Sequence, residues 1–292
     1  MTSSKKNSGT KRRRKPLKIA LLILAALVLA AGITALMQID LSNPDDLTEY
    51  LDTKFRKWGA AGMSVTLLRG GEVVYSEGFG YADIASGRGI NADTLFQVAS
   101  LSKTVTGTAV MQLYDRGLLD LDEDISIYLP FAVSVPGFEQ KPITARMLLA
   151  HTSSIRDNMD VIKPTYTIET GGGDSEISLD EFLRSYLLAD GENYNTKKNF
   201  YQREPNTRSE YCNVGYALLG YLVETISGQD FSEYCEENIF APLQMNDTGW
   251  RLDEVDTSRM ATPYVFKKGA AVRLRQLHKN QSRPKMQRSA SY

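Results

Sequence analysis

The sequence predicts a mixed α/β (α+β) domain, and three observations lead there. Two β-rich runs in "MSVTLLRGGEVVYSEGFGYAD" flank Arg69-Gly70-Gly71, the pattern of a hairpin whose turn needs positive φ. Apolar residues then recur at helical spacing in "LSKTVTGTAVMQLYDR" and "NVGYALLGYLVETISG". Strand signals followed by helices, with further strand expected downstream, make one layered α/β domain.

The chain has 292 residues, of which 42% are hydrophobic and 24% charged, enough apolar material for one large core or two small ones. Its net charge of −1 conceals three segments. Residues 1–18 carry eight basic side chains and no acid, and so do residues 267–292. All 35 acids therefore face only 18 of the 34 basic residues in the body between them, a net charge there of −17.

Taken in order, residues 1–18 read as a basic cytoplasmic tail. Residues 19–37, "IALLILAALVLAAGITALM", carry no charge. As a helix they would span about 28 Å, close to the roughly 30 Å hydrocarbon core of a bilayer. The basic flank keeps the N-terminus in the cytoplasm and the body outside. A cleaved signal peptide competes, but the run is long for one and ends without an A-x-A site, so an uncleaved membrane anchor is the reading taken. Residues 38–46 are a linker. "DDLTEYLDTKFRKW" then spaces Leu47, Leu51 and Phe55 four apart, as an amphipathic helix does.

After the hairpin, the helix that follows "NADTLFQVASLSK" carries an apolar stripe of Val105, Ala109, Val110 and Leu113. It runs to about Arg116, where Gly117 suits the position past its end. "ITARMLLAHTSSI" reads as a short helix and a polar loop. Residues 155–210, with "ETGGGDSE" and "DGENYNTKKN", read as a loop-rich insertion. The next helix buries Ala217, Leu218, Tyr221, Leu222 and Ile226 and stops at Gly228. "DFSEYCEENIFAPLQM" starts another behind an Asp/Ser cap signal. Residues 267–292 lack period and large apolar residues and read as a disordered basic tail.

Two cysteines, Cys212 and Cys235, and two histidines, His151 and His278, are too scattered for a structural zinc site. A Cys212–Cys235 disulfide is conceivable outside the cytosol; two free thiols are the preferred reading. A basic tail could touch nucleic acid or anionic lipid, but the acidic body and the anchor argue against a nucleic-acid partner.

The candidate chemistry starts at "FQVASLSKTVTG". S-x-x-K occurs four times, at Ser3–Lys6, Ser8–Lys11, Ser100–Lys103 and Ser282–Lys285. Only Ser100–Lys103 enters an amphipathic helix. Three residues along a helix bring the two side chains onto one face. A serine at the helix N-terminus meets backbone N–H groups and a positive dipole end that favour an oxyanion. The same potential, with burial, would push the lysine toward a usable base. The plain alternative is a capping serine and a solvated lysine, and on spacing alone the two stand level. Tyr211-Cys212-Asn213, the only Y-x-N among 15 tyrosines, sits immediately before a helix.

Together these motifs resemble the serine β-lactamase and penicillin-binding protein superfamily, particularly its class C-like branch of esterases, D-peptidases and β-lactamases. "FQVASLSKTVTGTAVMQLYDRGLLDLDEDISIYLP", "ITARMLLAHTSSI", "YCNVGYALLGYLVETISGQDF" and "ENIFAPLQMNDTGW" are similar to this family and stand in family order, over about residues 47–266. The resemblance implies an antiparallel sheet flanked by helices. It implies Ser100 as acylated nucleophile, Lys103 as its proton acceptor, Tyr211 as proton relay, and Asn213 as the group positioning Lys103 and the substrate amide. Asn213 could also cap its helix. No metal or organic cofactor is implied, nor an oligomeric state; the partner is a small-molecule or peptide substrate. His151 could be the base of a Ser–His–Asp hydrolase, but no G-x-S-x-G elbow exists. The "LLAHTSSI" stretch of the resembled family is structural, usually with glycine where Ser154 stands.

The family's third element, K-T-G or H-T-G on a later strand, has no counterpart after Asn213. That strand supplies a second oxyanion donor, and losing such a donor costs roughly 3–4 kcal/mol of transition-state stabilisation. The sheet is therefore expected to be incomplete, and residues 267–292 to be non-family sequence of a truncated or frameshifted member. The expected function is a membrane-anchored extracytoplasmic serine hydrolase acting on a β-lactam, a D-amino-acid peptide or an ester. The alternative is a non-catalytic fragment.

Overall fold

The computed structural model describes residues 44–166, 173–267 and 270–273. Among them no helix is long and apolar enough to cross a membrane. The basic tail at 1–18 and the apolar run at 19–37 lie outside the described residues. The chain divides into two compact units, residues 1–92 and 93–292, where the sequence reading took 47–266 as one body.

In the first unit, α1 (Pro44–Trp58) begins with Asp45 and Asp46 and ends with Arg56 and Lys57, which matches the sign of the helix dipole at each end. Leu47 and Phe55 are buried, as their spacing requires. Strands β1 (Gly62–Arg69) and β2 (Glu72–Asp83) form the predicted antiparallel hairpin, Arg69 pairing with Glu72. Gly70 and Gly71 turn it with φ of 60° and 88°, the positive values that a tight two-residue hairpin turn demands. The short strand β3 (Arg88–Gly89) pairs with the far end of β2, completing a three-stranded sheet in the order β1-β2-β3. Alternation along β2 puts Tyr75 and Phe79 on one face, where Phe79 lies 6.2 Å from the Phe55 ring and Tyr75 bonds Thr48.

The described part of the second unit is mostly helical. A 3-10 turn (Ala99–Leu101) runs straight into α2 (Ser102–Asp115), which buries Thr106, Ala109, Val110 and Leu113 and ends before Gly117 at φ 70°. Helix α3 (Ala145–Leu149) is capped by the Thr144 hydroxyl, which accepts from the Met147 N–H. Among its described residues, the segment expected to be loop-rich holds the helices α4 (Met159–Ile162) and α5 (Leu179–Leu187). The Ser178 hydroxyl caps α5, and Leu183, Tyr186 and Leu187 face the core. Ser178 followed by Glu181 is the capping-box spacing that announces such a helix; the flanking polar runs masked it.

Helix α6 (Asn213–Ser227) is the centre of this unit, with α2, α3, α5 and α7 (Phe231–Cys235) packed around it. Its buried surface is wider than the single stripe expected from the sequence, since Val214, Leu218, Leu219, Leu222 and Val223 are all buried. Each such side chain contributes about 1.5–3 kcal/mol of transfer free energy. Helix α7 is capped by Asp230 and continues as a π-turn through Glu236–Phe240.

Strands β4 (Tyr264–Lys267) and β5 (Ala270–Arg273) pair antiparallel as a separate two-stranded sheet. This corrects the reading of residues 267–292 as wholly disordered, because residues 270–273 are a strand in register with residues 264–267. Backbone pairing needs no large apolar side chains, the feature on which that reading rested.

Candidate active site

The packing of α2 against α6 brings their N-terminal ends together. Lys103 stands in the first turn of α2, and its Nζ donates to Asn213 Oδ1 at 2.8 Å. Ser100 lies on the 3-10 turn just before, exposed, behind an Ala99 held at φ 46°. A non-glycine residue there is strained backbone, and such strain concentrates at functional sites. Tyr211, on the extended segment entering α6, places its hydroxyl 2.7 Å from Ser100 Oγ and donates to it. Lys103 Nζ is 3.5 Å from the same oxygen, at the outer limit of hydrogen bonding. All four residues named from the sequence therefore meet at one place. Ser100 does not cap α2 with its side chain, and Lys103 is partly buried, so the plain alternative of a capping serine and a solvated lysine does not describe this site.

Aromatic rings line the lysine. Its Nζ lies 4.9 Å from the Tyr211 ring centre and 5.5 Å from that of Tyr216. His151 packs on both rings, at 4.6 and 4.9 Å, and its Nδ1 accepts the Cys212 N–H at 3.1 Å. That bond assigns the neutral Nε2–H tautomer. Burial first, and then the charge of Lys103, lower the His151 pKa, with Asp157 pulling the other way. Burial pushes the Tyr211 phenol up. Hydrogen bonding to Lys103 and Ser100, together with the lysine charge, outweighs it and leaves the phenol below its ordinary value.

Asn213 is not a cap. Cys212 holds that position, its Sγ accepting the Gly215 N–H at 3.3 Å. The Asn213 side chain is turned instead toward Lys103 on one side and Asp157 on the other. Cys212 and Cys235 are both free and buried. Burial above all, then the Asp157 charge, pushes the Cys212 thiol far up.

The sequence reading missed Asp157. It lies in a polar loop 56 residues before Asn213, and no local pattern marks it. Its carboxylate accepts the Asn213 and Val214 N–H groups at 2.8 and 3.1 Å and Asn213 Nδ2 at 2.7 Å. Ser154 stands at φ 62°, which explains why glycine suits that position. Among the described residues no group of three or more His, Cys, Asp or Glu is placed to hold a metal ion.

The beta-lactamase family model matches residues 45–280. The chain belongs to the beta-lactamase family. This match carries family sequence beyond residue 266, where the sequence reading ended it. Penicillin-binding protein 4* of Bacillus subtilis (strain 168) is 29% identical over 224 residues, covering 75% of this beta-lactamase-family chain and 46% of that one. The octameric penicillin-binding protein homologue from Pyrococcus abyssi superposes with a TM-score of 0.64 at 27% identity, covering 78% of this chain and 50% of that. The D-amino acid amidase from Ochrobactrum anthropi, complexed with D-phenylalanine, gives 0.58 at 27%, covering 76% and 58%. The chain thus spans about half the length of relatives such as these, and it shares the α/β fold of its family, with antiparallel sheet and helices.

Proposed function

We propose that this chain is a beta-lactamase-related serine hydrolase that works through an acyl-enzyme on Ser100. The observation that carries the reading is the contact of the Tyr211 hydroxyl with Ser100 Oγ at 2.7 Å, beside a Lys103 held by Asn213 at 2.8 Å. A serine hydroxyl is a weak nucleophile until a neighbour takes its proton. Tyr211, lowered below its ordinary value, is the nearest group able to do so. Once the phenol has lost its proton, its oxygen accepts the Ser100 proton as Oγ attacks the substrate carbonyl. Lys103 stabilises the phenolate and gives its own proton to the leaving group. Water then cleaves the ester, losing a proton to Lys103, while the Tyr211 proton returns to Ser100 Oγ, so that all three groups are restored. The start of the 3-10 turn offers the Ser100 N–H to the oxyanion.

The substrate is a β-lactam, a D-amino-acid peptide or an ester. The D-phenylalanine complex of the amidase relative and the names of the penicillin-binding relatives support the first two, and the ester rests on the sequence resemblance. The reading includes a single-pass anchor at residues 19–37 with the catalytic body outside the membrane. Its support is the charge-free run behind a basic flank.

The test is covalent labelling of the full chain with a fluorescent penicillin and a fluorophosphonate. Labelling that disappears in Ser100→Ala supports the reading, and product release then measures turnover separately from acylation. A chain that labels with neither reagent, or labels equally without Ser100, is better described as a non-catalytic fragment.

A further inference from the structure

The amide of Asn213 has a polarity problem that the four motif residues do not solve. An asparagine side chain presents an oxygen on one side and an NH₂ on the other, and nothing in its own shape prefers either orientation. Only the oxygen can meet the Lys103 ammonium, which has donors alone. The structure sets Asn213 with Oδ1 toward Lys103 and Nδ2 toward Asp157, at 2.8 and 2.7 Å. A carboxylate accepts only, so Asp157 tolerates the NH₂ and repels the oxygen.

Asp157 is itself firmly fixed. Its Oδ1 accepts the N–H groups of Asn213 and Val214 at 2.8 and 3.1 Å and lies 3.3 Å from Cys212 Sγ. Its Oδ2 accepts the Asn213 N–H at 3.0 Å and the side-chain Nδ2. The neighbouring main chain is clamped too, because the Tyr186 hydroxyl donates to Arg156 O and accepts the Asn158 N–H, each at 2.6 Å. The charged side chains of Arg156, Asp160 and Lys198 share the cleft on the outer side of Asp157, and Lys198 is occupied by Asp160 at 2.7 Å.

We propose that Asp157 is a positioning residue that fixes the orientation of the Asn213 amide, so that its oxygen and not its nitrogen meets Lys103. The inference rests on the serine-hydrolase reading for its effect on rate, but not for its effect on the amide. Asparagine at 157 has nearly the same shape. Its oxygen would still accept the two main-chain N–H groups, which turns its NH₂ onto Asn213 Nδ2. Either two NH₂ groups then face each other, or Asn213 flips and presents NH₂ to the Lys103 ammonium. One donor pair clashes in both arrangements. Moving the carboxylate across the pair removes the clash. In Asp157→Asn/Asn213→Asp, the new amide donates to the new carboxylate, which also accepts from Lys103.

The experiment compares the full chain with Asp157→Asn, Asn213→Asp and the double variant. Labelling by the fluorescent penicillin should fall roughly 10- to 100-fold in Asp157→Asn, the effect of one unsatisfied buried polar contact. The double variant should recover most of that loss, with its pH–rate profile moved to higher pH by the carboxylate now touching Lys103. The second readout needs no activity. The Asn213 side-chain NH₂ resonance, identified by its loss in Asn213→Asp, should be protected from exchange in the wild type and unprotected in Asp157→Asn. Wild-type labelling in Asp157→Asn, or a double variant whose loss is the product of the two single losses, overturns the inference. If wild type itself never labels, the hydrolase reading falls, and the amide resonance alone decides the role of Asp157: an unchanged resonance overturns it.

Discussion

Tyr211 and Ser100 stand 111 residues apart in sequence, yet the phenol hydroxyl reaches the serine oxygen at 2.7 Å, closer than Lys103 at 3.5 Å. The tyrosine is therefore the nearer hydrogen-bond partner of the serine oxygen in this geometry. Tyr211→Phe keeps the ring and deletes the contact. Acylation is expected to fall by about 10²–10⁴-fold, the usual worth of a general acid–base group. With 51% of the residue exposed, stability should change by no more than about 0.5 kcal/mol. Labelling kinetics and a melting curve on the same sample check both halves, and an unchanged labelling rate would remove Tyr211 from the proton route.

The lowered Tyr211 pKa makes a second prediction. If the phenolate takes the serine proton, the acylation rate should rise with pH and level off below the ordinary tyrosine value of 10.0. The rising limb should vanish in Tyr211→Phe. A profile flat from neutral to alkaline pH in the wild type contradicts a phenolate base.

His151 links the same site to stability. Its folded pKa lies below the ordinary 6.5, so folding favours the neutral ring. The stability it contributes is fully present above about pH 6.5 and is lost as pH falls through the lower folded value. Protonation also converts Nδ1 from acceptor to donor, against the Cys212 N–H that it now receives. Melting temperature should therefore drop on acidification through this window. His151→Asn, which tolerates the positive φ of 57°, should show a shallower slope. Identical slopes would show that another group governs the transition.

Tyr186→Phe removes the clamp across the loop that carries Asp157. The Asn158 N–H and the Arg156 carbonyl both lose their partner at a side chain buried completely. The expected cost is about 1–3 kcal/mol by chemical denaturation. Labelling should slow as well, because the loop positions Asp157. Loss of stability with labelling fully retained would separate the clamp from the site.

Ser154 tests a backbone claim. At φ 62° a side chain costs about 1–2 kcal/mol, partly offset by the flexibility glycine gains when unfolded. Ser154→Gly should raise stability by up to about 1 kcal/mol, since the hydroxyl gives up only a long 3.4 Å bond to Glu204 O. Ser154→Val, β-branched in the same conformation, should lower it. A glycine variant that melts below wild type would place the worth of Ser154 in its hydroxyl.

The helices and the hairpin were readable because their signals are local. Leu47 and Phe55 lie one helical turn apart twice over, Gly70-Gly71 can take the turn that few other pairs can, and Gly117 and Gly228 close helices at positive φ. Helix α5 was missed although Ser178 and Glu181 carry its cap, because the polar runs on either side dominate the window. Strand β5 was missed because strand pairing is a relation between two segments, and its own composition is that of a tail.

The candidate site divides the same way. The sequence by itself determined the residue types and their order: Ser100 three before Lys103, then Tyr211 and Asn213 at the mouth of a largely apolar helix. Those are properties of short stretches, and a short stretch can be recognised. Only the tertiary structure decided that Tyr211 comes closer to Ser100 than Lys103 does, that Cys212 rather than Asn213 caps α6, and that Asp157 faces the asparagine NH₂. These are outcomes of packing α2 and the Asp157 loop against α6. Hydrogen bonds reach about 3 Å, and no pattern along one dimension says which groups come that close.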